Sequence, residues 1–321
     1  MKIKELEQKD EEQFNQLAEE LGTIYSSAKW AKLFGENATC YGIYDGDSSL
    51  IGGFSIFKMK QYGFSIYRDL PFTPEMGPFF LNNSQSHIKK VSKWKKLSEL
   101  IAEHLKKLPF SVMSLSLNHQ IVDTQPFIWK KFKVVPRYKY ILELNKSVEE
   151  IWQNMASDTR NEIKKGEKDG LKVEKTDDYS LIHTLVNKTF SRQKMDIDQK
   201  YVERILFDFA NDNNSVAYIT YDDEKPIAGA LMIYDKNSSH GLLSGYDHNS
   251  KHRGALSMCI WETMKYCKEI GLKHYDFEGS MIPRYENFLR RFGGTLTPYY
   301  VINRAKLPYE FVLKFFKREI F

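Results

Sequence analysis

Two carboxylates close together at the end of a strand can do chemistry that one cannot. Residues 272–279 read "LKHYDFEG", and alternation along a strand puts Asp276 and Glu278 on one face and Phe277 on the other. At the C-terminal end of a strand in an open α/β sheet, such a pair can act as a general base or hold an ammonium group. A second group lies upstream in "LLSGYDHNSKHRGALSMCIW" (242–261), where a strand gives way to a polar loop and then a long helix. Backbone amides at that helix start, with Gly254 allowing close approach and Lys251, His252 and Arg253 adding charge, suit a phosphate or pyrophosphate. Lys251, His252, Arg253, Gly254 and Ala255 are therefore candidate donor-binding residues. Arg160 and Lys164 recur one helical turn apart in "TRNEIKKG" and could meet an anionic substrate, and Arg68 is assigned with them to the acceptor. His240, His248, His252 and His274 lack the dense acid or cysteine spacing of a metal site, so no metal is expected.

These residues need a frame, and the sequence supplies it twice. "YDGDSSLIGG" (44–53) and "YDDEKPIAGA" (221–230) share a turn followed by strand material, which predicts a hairpin in each half. Further on, "WKKF" (129–132) corresponds to "LRRF" (289–292), each between two strand candidates. The first copy is longer between its anchors, and the extra length falls around "YRDLPFTPEMGPFF" (67–80). Long amphipathic helices are predicted at 91–107 and 253–271, the latter stopped by Gly271. The order in each copy is strand, hairpin, strands, long helix, strand, short helix, strand. This predicts an α/β fold of two tandem domains, 1–145 and 146–321, each a mixed, mostly antiparallel sheet flanked by helices. Between them "SVEEIWQNMASDTRNEIKKGEKDG" (147–170) opens on a Ser-x-x-Glu capping box and is expected to run helical to Gly166 or Gly170.

A chain of 321 residues suits two domains, and its 28% charged residues are mixed in sign, which argues against disorder. The formal charge of +5 permits an anionic ligand without requiring nucleic acid. Cys40, Cys259 and Cys267 show no metal spacing and fit a reduced, cytoplasmic protein. The charged start is unlike a signal peptide, and no apolar run approaches the ~18 residues of a membrane span. "YEFVLKFFKREIF" (309–321) is a basic amphipathic segment that either docks on the body or touches the inner face of an anionic membrane.

This order of elements resembles the GNAT acyltransferase fold. Two units joined through "RYKYILELNKSVEEIWQNMASDTRNEIKKGEKDGLKVE" (137–174), with "MGPFF" (76–80) and "YDFEGS…FLRRFGG" (275–294), resemble the tandem FemAB-like branch. That branch includes cell-wall peptidoglycan-bridge aminoacyltransferases and other bacterial N-acyltransferases. The resemblance implies attack of an amine on an acyl carbonyl, with no covalent enzyme intermediate. It places the oxyanion donors at Ser244, Gly245 and Tyr246, where GNAT strands splay, and a leaving-group acid at Tyr285, which opens the short helix. Asp276 and Glu278 complete the catalytic set. The implied donor is acyl-CoA, held by the second domain and not the first. The implied acceptor is an amine on a small molecule, sugar or peptide, with a lipid-linked acceptor at the membrane as a further option. The aminoacyltransferases carry Lys where Leu289 stands here, which sets aminoacyl-tRNA second as donor. A duplicate that binds ligand without catalysis is the third reading.

Overall fold

The computed structural model describes residues 1–316 apart from 47–48, 62, 76, 196, 251, 280 and 308. Along the chain run β1 (Lys2–Glu5), α1 (Glu11–Leu21), α2 (Ala28–Lys32), β2 (Ala38–Asp45), β3 (Ser49–Gln61), β4 (Phe64–Arg68) and β5 (Phe79–Phe80). Then come α3 (His87–Lys107), β6 (Val112–Ser116), α4 (Gln125–Trp129), β7 (Lys133–Glu143), α5 (Val148–Asn154), α6 (Ser157–Lys168) and β8 (Lys172–Thr176). The remainder is α7 (Tyr179–Gln193), α8 (Gln199–Glu203), β9 (Ser215–Asp222), β10 (Lys225–Tyr234), β11 (Ser238–Tyr246), α9 (Ala255–Glu269), β12 (His274–Asp276), α10 (Pro283–Leu289), β13 (Thr295–Ala305) and α11 (Tyr309–Phe316).

Two compact units form, and neither is contiguous with a half of the sequence. One is Met1–Arg137 with Pro298–Phe321, and the other is Tyr138–Thr297. Within the first, the strands follow the order β1-β2-β3-β4-β6-β13. Every pair is antiparallel except β4 with β6. Within the second, the order is β8-β9-β10-β11-β12-β7, antiparallel except for β11 with β12. The repeat in the sequence is thus a repeat of strand directions. Both expected hairpins are present, as β2–β3 and β9–β10, and each has a register shift beside its turn. The difference from a simple tandem lies in the last strands. Residues 298–305 of β13 complete the first unit, and residues 138–143 of β7 complete the second.

Helix α9 forms the core of the second unit because its face is apolar almost throughout. Ala255, Met258, Cys259, Met264 and Cys267 pack with Ile227, Ala230 and Met232 of β10 and with Tyr275 and Phe292. Gly271 follows the helix at φ +83, the left-handed stop expected of it. The junction differs from the single helix the sequence suggests. The Ser147–Glu150 capping box is present, but α5 ends at Asn154 and α6 starts at Ser157. Met155 between them is buried, and the Ala156 amide donates to the Arg291 carbonyl at 2.8 Å. Burying one side chain and pairing one amide outside the helix outweigh a continuous helical ladder here. In the first unit, Phe14 and Ala18 of α1 pack with Tyr44, Leu50 and Phe79.

Candidate functional site

The site grows from the place where the one parallel pair of the second unit comes apart. β11 and β12 are in register only over Ser238–His274, Ser239–Tyr275 and His240–Asp276. Beyond that point the chain from β12 stays with β7, since the Phe277 amide donates to the Tyr140 carbonyl at 3.0 Å and the Tyr140 amide to the Glu278 carbonyl at 3.4 Å. β11 instead continues to Tyr246 beside β10. Two strands that diverge leave room between their ends.

At that fork lies a cluster of charged side chains. Lys139 of β7, 1% exposed, donates to Asp276 Oδ2 at 2.5 Å. Asp276 Oδ1 accepts the Glu278 amide at 2.8 Å. Glu278 sits at φ +59, a left-handed conformation that a non-glycine residue adopts at a cost. That turn brings its Oε1 to 2.9 Å from His240 Nδ1. The other ring nitrogen, Nε2, faces Asp235 Oδ2 at 3.8 Å. Burial disfavours the charged imidazole. The nearby Asp235 carboxylate and the hydrogen bond to Glu278, with the charges of Glu278 and Asp276, outweigh it and raise His240 to about 10. Burial likewise raises Asp235, but the nearby His240 and hydrogen bonds from the Asn237 and Ser238 amides bring it below the usual carboxylate range.

Three carboxylates, Asp235, Asp276 and Glu278, thus stand around Lys139 and His240. Glu278, at 13% side-chain exposure against 3% for Asp276 and 5% for His240, is the member of this trio nearest solvent. One ligand atom from each of His240, Asp276 and Glu278 lies within 4.8 Å of the others, a spacing a divalent ion could also use. A metal there would compete with a proton for His240 and with Lys139 for Asp276. Of this cluster, the sequence reading singles out Asp276 and Glu278 as partners and leaves out Lys139, His240 and Asp235.

The donor loop is built differently from what its residue types suggest. Lys251 lies outside the described residues. A Cβ on Gly254 would stand 2.2 Å from the Glu162 carbonyl, so this glycine lets α6 pack on the start of α9. Its amide donates to His252 Nδ1 at 3.2 Å, and the Ala255 amide donates to the His252 carbonyl at 3.4 Å. His252 Nε2 in turn lies 3.2 Å from Asp169 Oδ2. Arg253 is exposed at the helix start, whereas Ala255 is buried. Gly245 has a packing role as well, since a Cβ there would fall 2.2 Å from the Leu185 carbonyl carbon of α7. The Asp247 amide reaches the Ile227 carbonyl of β10, so by alternation the Ser244 and Tyr246 amides face away from β10. Thr189 Oγ1 accepts the Tyr246 amide at 2.9 Å. Tyr285 on α10 donates to Gln193 Oε1 at the end of α7 and accepts from Arg284 at 2.7 Å, with the guanidinium 4.7 Å from its ring centroid.

Comparison with known families matches residues 153–286 to the acetyltransferase (GNAT) domain. The matched segment lies wholly within the second unit and contains every member of the cluster except Lys139. The fold of the chain is also that of FemX, at 13% identity and TM-score 0.65, covering 98% of this chain and 99% of that one. L-PGS from Bacillus licheniformis is similar over 99% of this chain and 98% of its own, at 13% identity and TM-score 0.57. The C-terminal DUF2156 domain of an Agrobacterium fabrum protein is similar over 95% of each chain, at 11% identity and TM-score 0.60. No curated protein matches the sequence. The GNAT match and the FemX-like fold together support an acyl-type transferase.

The counterpart of the GNAT fork in the first unit is filled by the chain itself. β4 and β6 pair in parallel as far as Arg68–Ser114. Asp69 then turns in and accepts the Ser116 amide at 2.8 and 3.1 Å and the Ser116 hydroxyl at 2.6 Å. Gly77 bridges to Leu117 in parallel just beyond. The insertion seen in the sequence is the segment that occupies this fork. Burial raises Asp69 to about 6 despite those hydrogen bonds and the nearby Arg68. Of the residues assigned to the acceptor, Arg68 is exposed at the end of β4. Arg160 on α6 donates to Gln153 Oε1 at 2.5 Å, and Lys164 stands 5.9 Å over the Trp152 ring. Both belong to the second unit, while Arg68 belongs to the first.

Proposed function

We propose that this chain is an N-acyltransferase whose second unit brings an amine to an activated acyl group. The observation that carries this is the His240–Glu278–Asp276–Lys139 cluster at the point where β11 and β12 separate. Glu278 receives the acceptor's ammonium by a charge-assisted hydrogen bond. Glu278 first takes one proton from the ammonium, which frees the nitrogen lone pair. The amine then attacks the acyl carbon, and the developing oxyanion meets the Ser244 amide. The second proton, lost from nitrogen as the amide forms, restores the one that Tyr285 gives to the leaving group. The bond from carbon to the leaving sulfur or oxygen then breaks, and Tyr285 supplies the proton to the leaving group. His240 and Lys139 position Glu278 and Asp276. The filled fork of the first unit supports a single donor site, in the second.

Acyl-CoA is the first donor reading, with Arg253 and the start of α9 meeting its phosphates. One observation favours aminoacyl-tRNA instead. The Gly254 and Ala255 amides, which a pyrophosphate would need, are engaged by His252. Calorimetric titration with acetyl-CoA and with an aminoacyl-tRNA separates the two donors. Acyl transfer to a panel of amines then tests the site. Glu278→Gln is expected to lower kcat roughly 10²- to 10⁴-fold while donor binding is kept. Unchanged kcat in that variant would remove Glu278 from the mechanism. Absence of binding by either donor would overturn the transferase reading.

A further inference from the structure

The last described helix turns its apolar side outward. On α11, Phe311, Val312, Phe315 and Phe316 are 64%, 51%, 70% and 80% exposed, and Leu307 just before it is 81% exposed. Positions 311, 312, 315 and 316 fall on one face at helical spacing. Tyr309 and Leu313 are partly buried, and Tyr309 packs edge-on against Phe64 of the β3–β4 hairpin at 5.0 Å. The helix therefore sits on the body of the first unit by one side and offers phenylalanines on the other. A contiguous apolar face of this kind marks a contact surface.

Charge identifies what it contacts. The 54–66 stretch of the hairpin that supports α11 has no acid. Its Lys58 and Lys60 lie on the strand face opposite Phe64, which stands across from Gln61. Residues 305–321 contain Lys306, Lys314, Lys317 and Arg318 against Glu310 and Glu319, an excess of two cations. Within the helix, Glu310 is neutralised by Lys314 at 2.8 Å. Phenylalanines flanked by lysines are the composition of a helix lying in the plane of a bilayer, apolar face among the acyl chains and cations at anionic headgroups.

We propose that α11 seats the first unit on an anionic membrane surface. This goes beyond the transferase reading and does not depend on it. The full chain is to be sedimented with extruded vesicles of phosphatidylglycerol and phosphatidylcholine, and with vesicles of phosphatidylcholine alone. Expected is at least about tenfold stronger partition onto the anionic vesicles, weakened by salt, and a loss of about tenfold or more in Phe311→Ser/Phe315→Ser. A single Phe315→Trp variant should bind as the parent does and shift its emission to the blue on vesicles. The proposal fails if the parent does not pellet with anionic vesicles, or if the double serine variant pellets equally. It also fails if the parent does not bind vesicles but dimerises in sedimentation velocity and the serine variant is monomeric, for the face would then cover a second copy of the chain.

Discussion

A buried histidine that stays protonated far above its ordinary range makes the stability of this protein depend on pH in a particular direction. In the unfolded chain His240 titrates near 6.5, and in the folded protein it is held at about 10 by Asp235 and Glu278 against the effect of burial. Because the folded value is the higher one, the folded state binds the proton more tightly. Its contribution is complete below about pH 6.5 and is lost as the pH rises through about 10. At about 1.36 kcal/mol per pH unit, this gap amounts to on the order of 4–5 kcal/mol. That is a third or more of the stability of a typical domain. Urea unfolding of the parent and of His240→Gln should be followed at pH 7, 8.5 and 10. The parent is expected to lose stability steeply above pH 8 relative to the variant, whose curve should be flatter there. NMR of the labelled imidazole gives an independent reading. The His240 ring should remain protonated at pH 8, and Glu278→Gln should lower its titration midpoint by at least about one unit. An imidazole that titrates near 6.5, or parallel stability curves for parent and variant between pH 7 and 10, would refute the reasoning.

Two further outcomes follow from other sites. Gly245→Ala puts a methyl into the backbone of α7, so a loss of roughly 1–3 kcal/mol is expected in chemical denaturation, where a donor-binding role alone would leave stability unchanged. Asp69 is raised by burial to about 6, above its unfolded value of 3.8, so the folded state gains stability as the pH falls from 7 towards 4. Asp69→Asn should remove that gain, about 3 kcal/mol at most, and should be at least as stable as the parent at pH 8 by thermal unfolding.

The sequence was legible where pattern alone decides structure. The two hairpins, the left-handed stop at Gly271 and the capping box at Ser147 all follow from local residue types, and all are present. The convergence of Asp276 and Glu278 was also expected, but it comes about by another route. β12 ends at Asp276, so strand parity does not carry Glu278 inward, and its left-handed turn does. His240 and Lys139 were out of reach because their role depends on register between distant strands, His240 opposite Asp276 and Ile141 opposite Asp276. One signal was available. Lys139 shares the parity of Ile141 in β7, and a lysine on the face of a strand that also carries buried isoleucine implies a buried carboxylate nearby. Gly245 and Gly254 also carry a packing role that a one-dimensional reading does not show, for α7 and α6 approach them closely.

The exchange of final strands has a consequence for how the chain can be made. β6 of the first unit must find residues 301–305, which are made only after the whole of the second unit. Until then the nascent chain carries a strand edge without its neighbour, and closing so long a loop slows the step that completes the sheet. An unpaired edge held open during synthesis invites pairing with other chains. A fragment ending near Asn145 would keep that edge permanently, because its missing strand lies beyond the second unit. The second unit can therefore gather all its strands before the first, although most of the first is synthesised earlier.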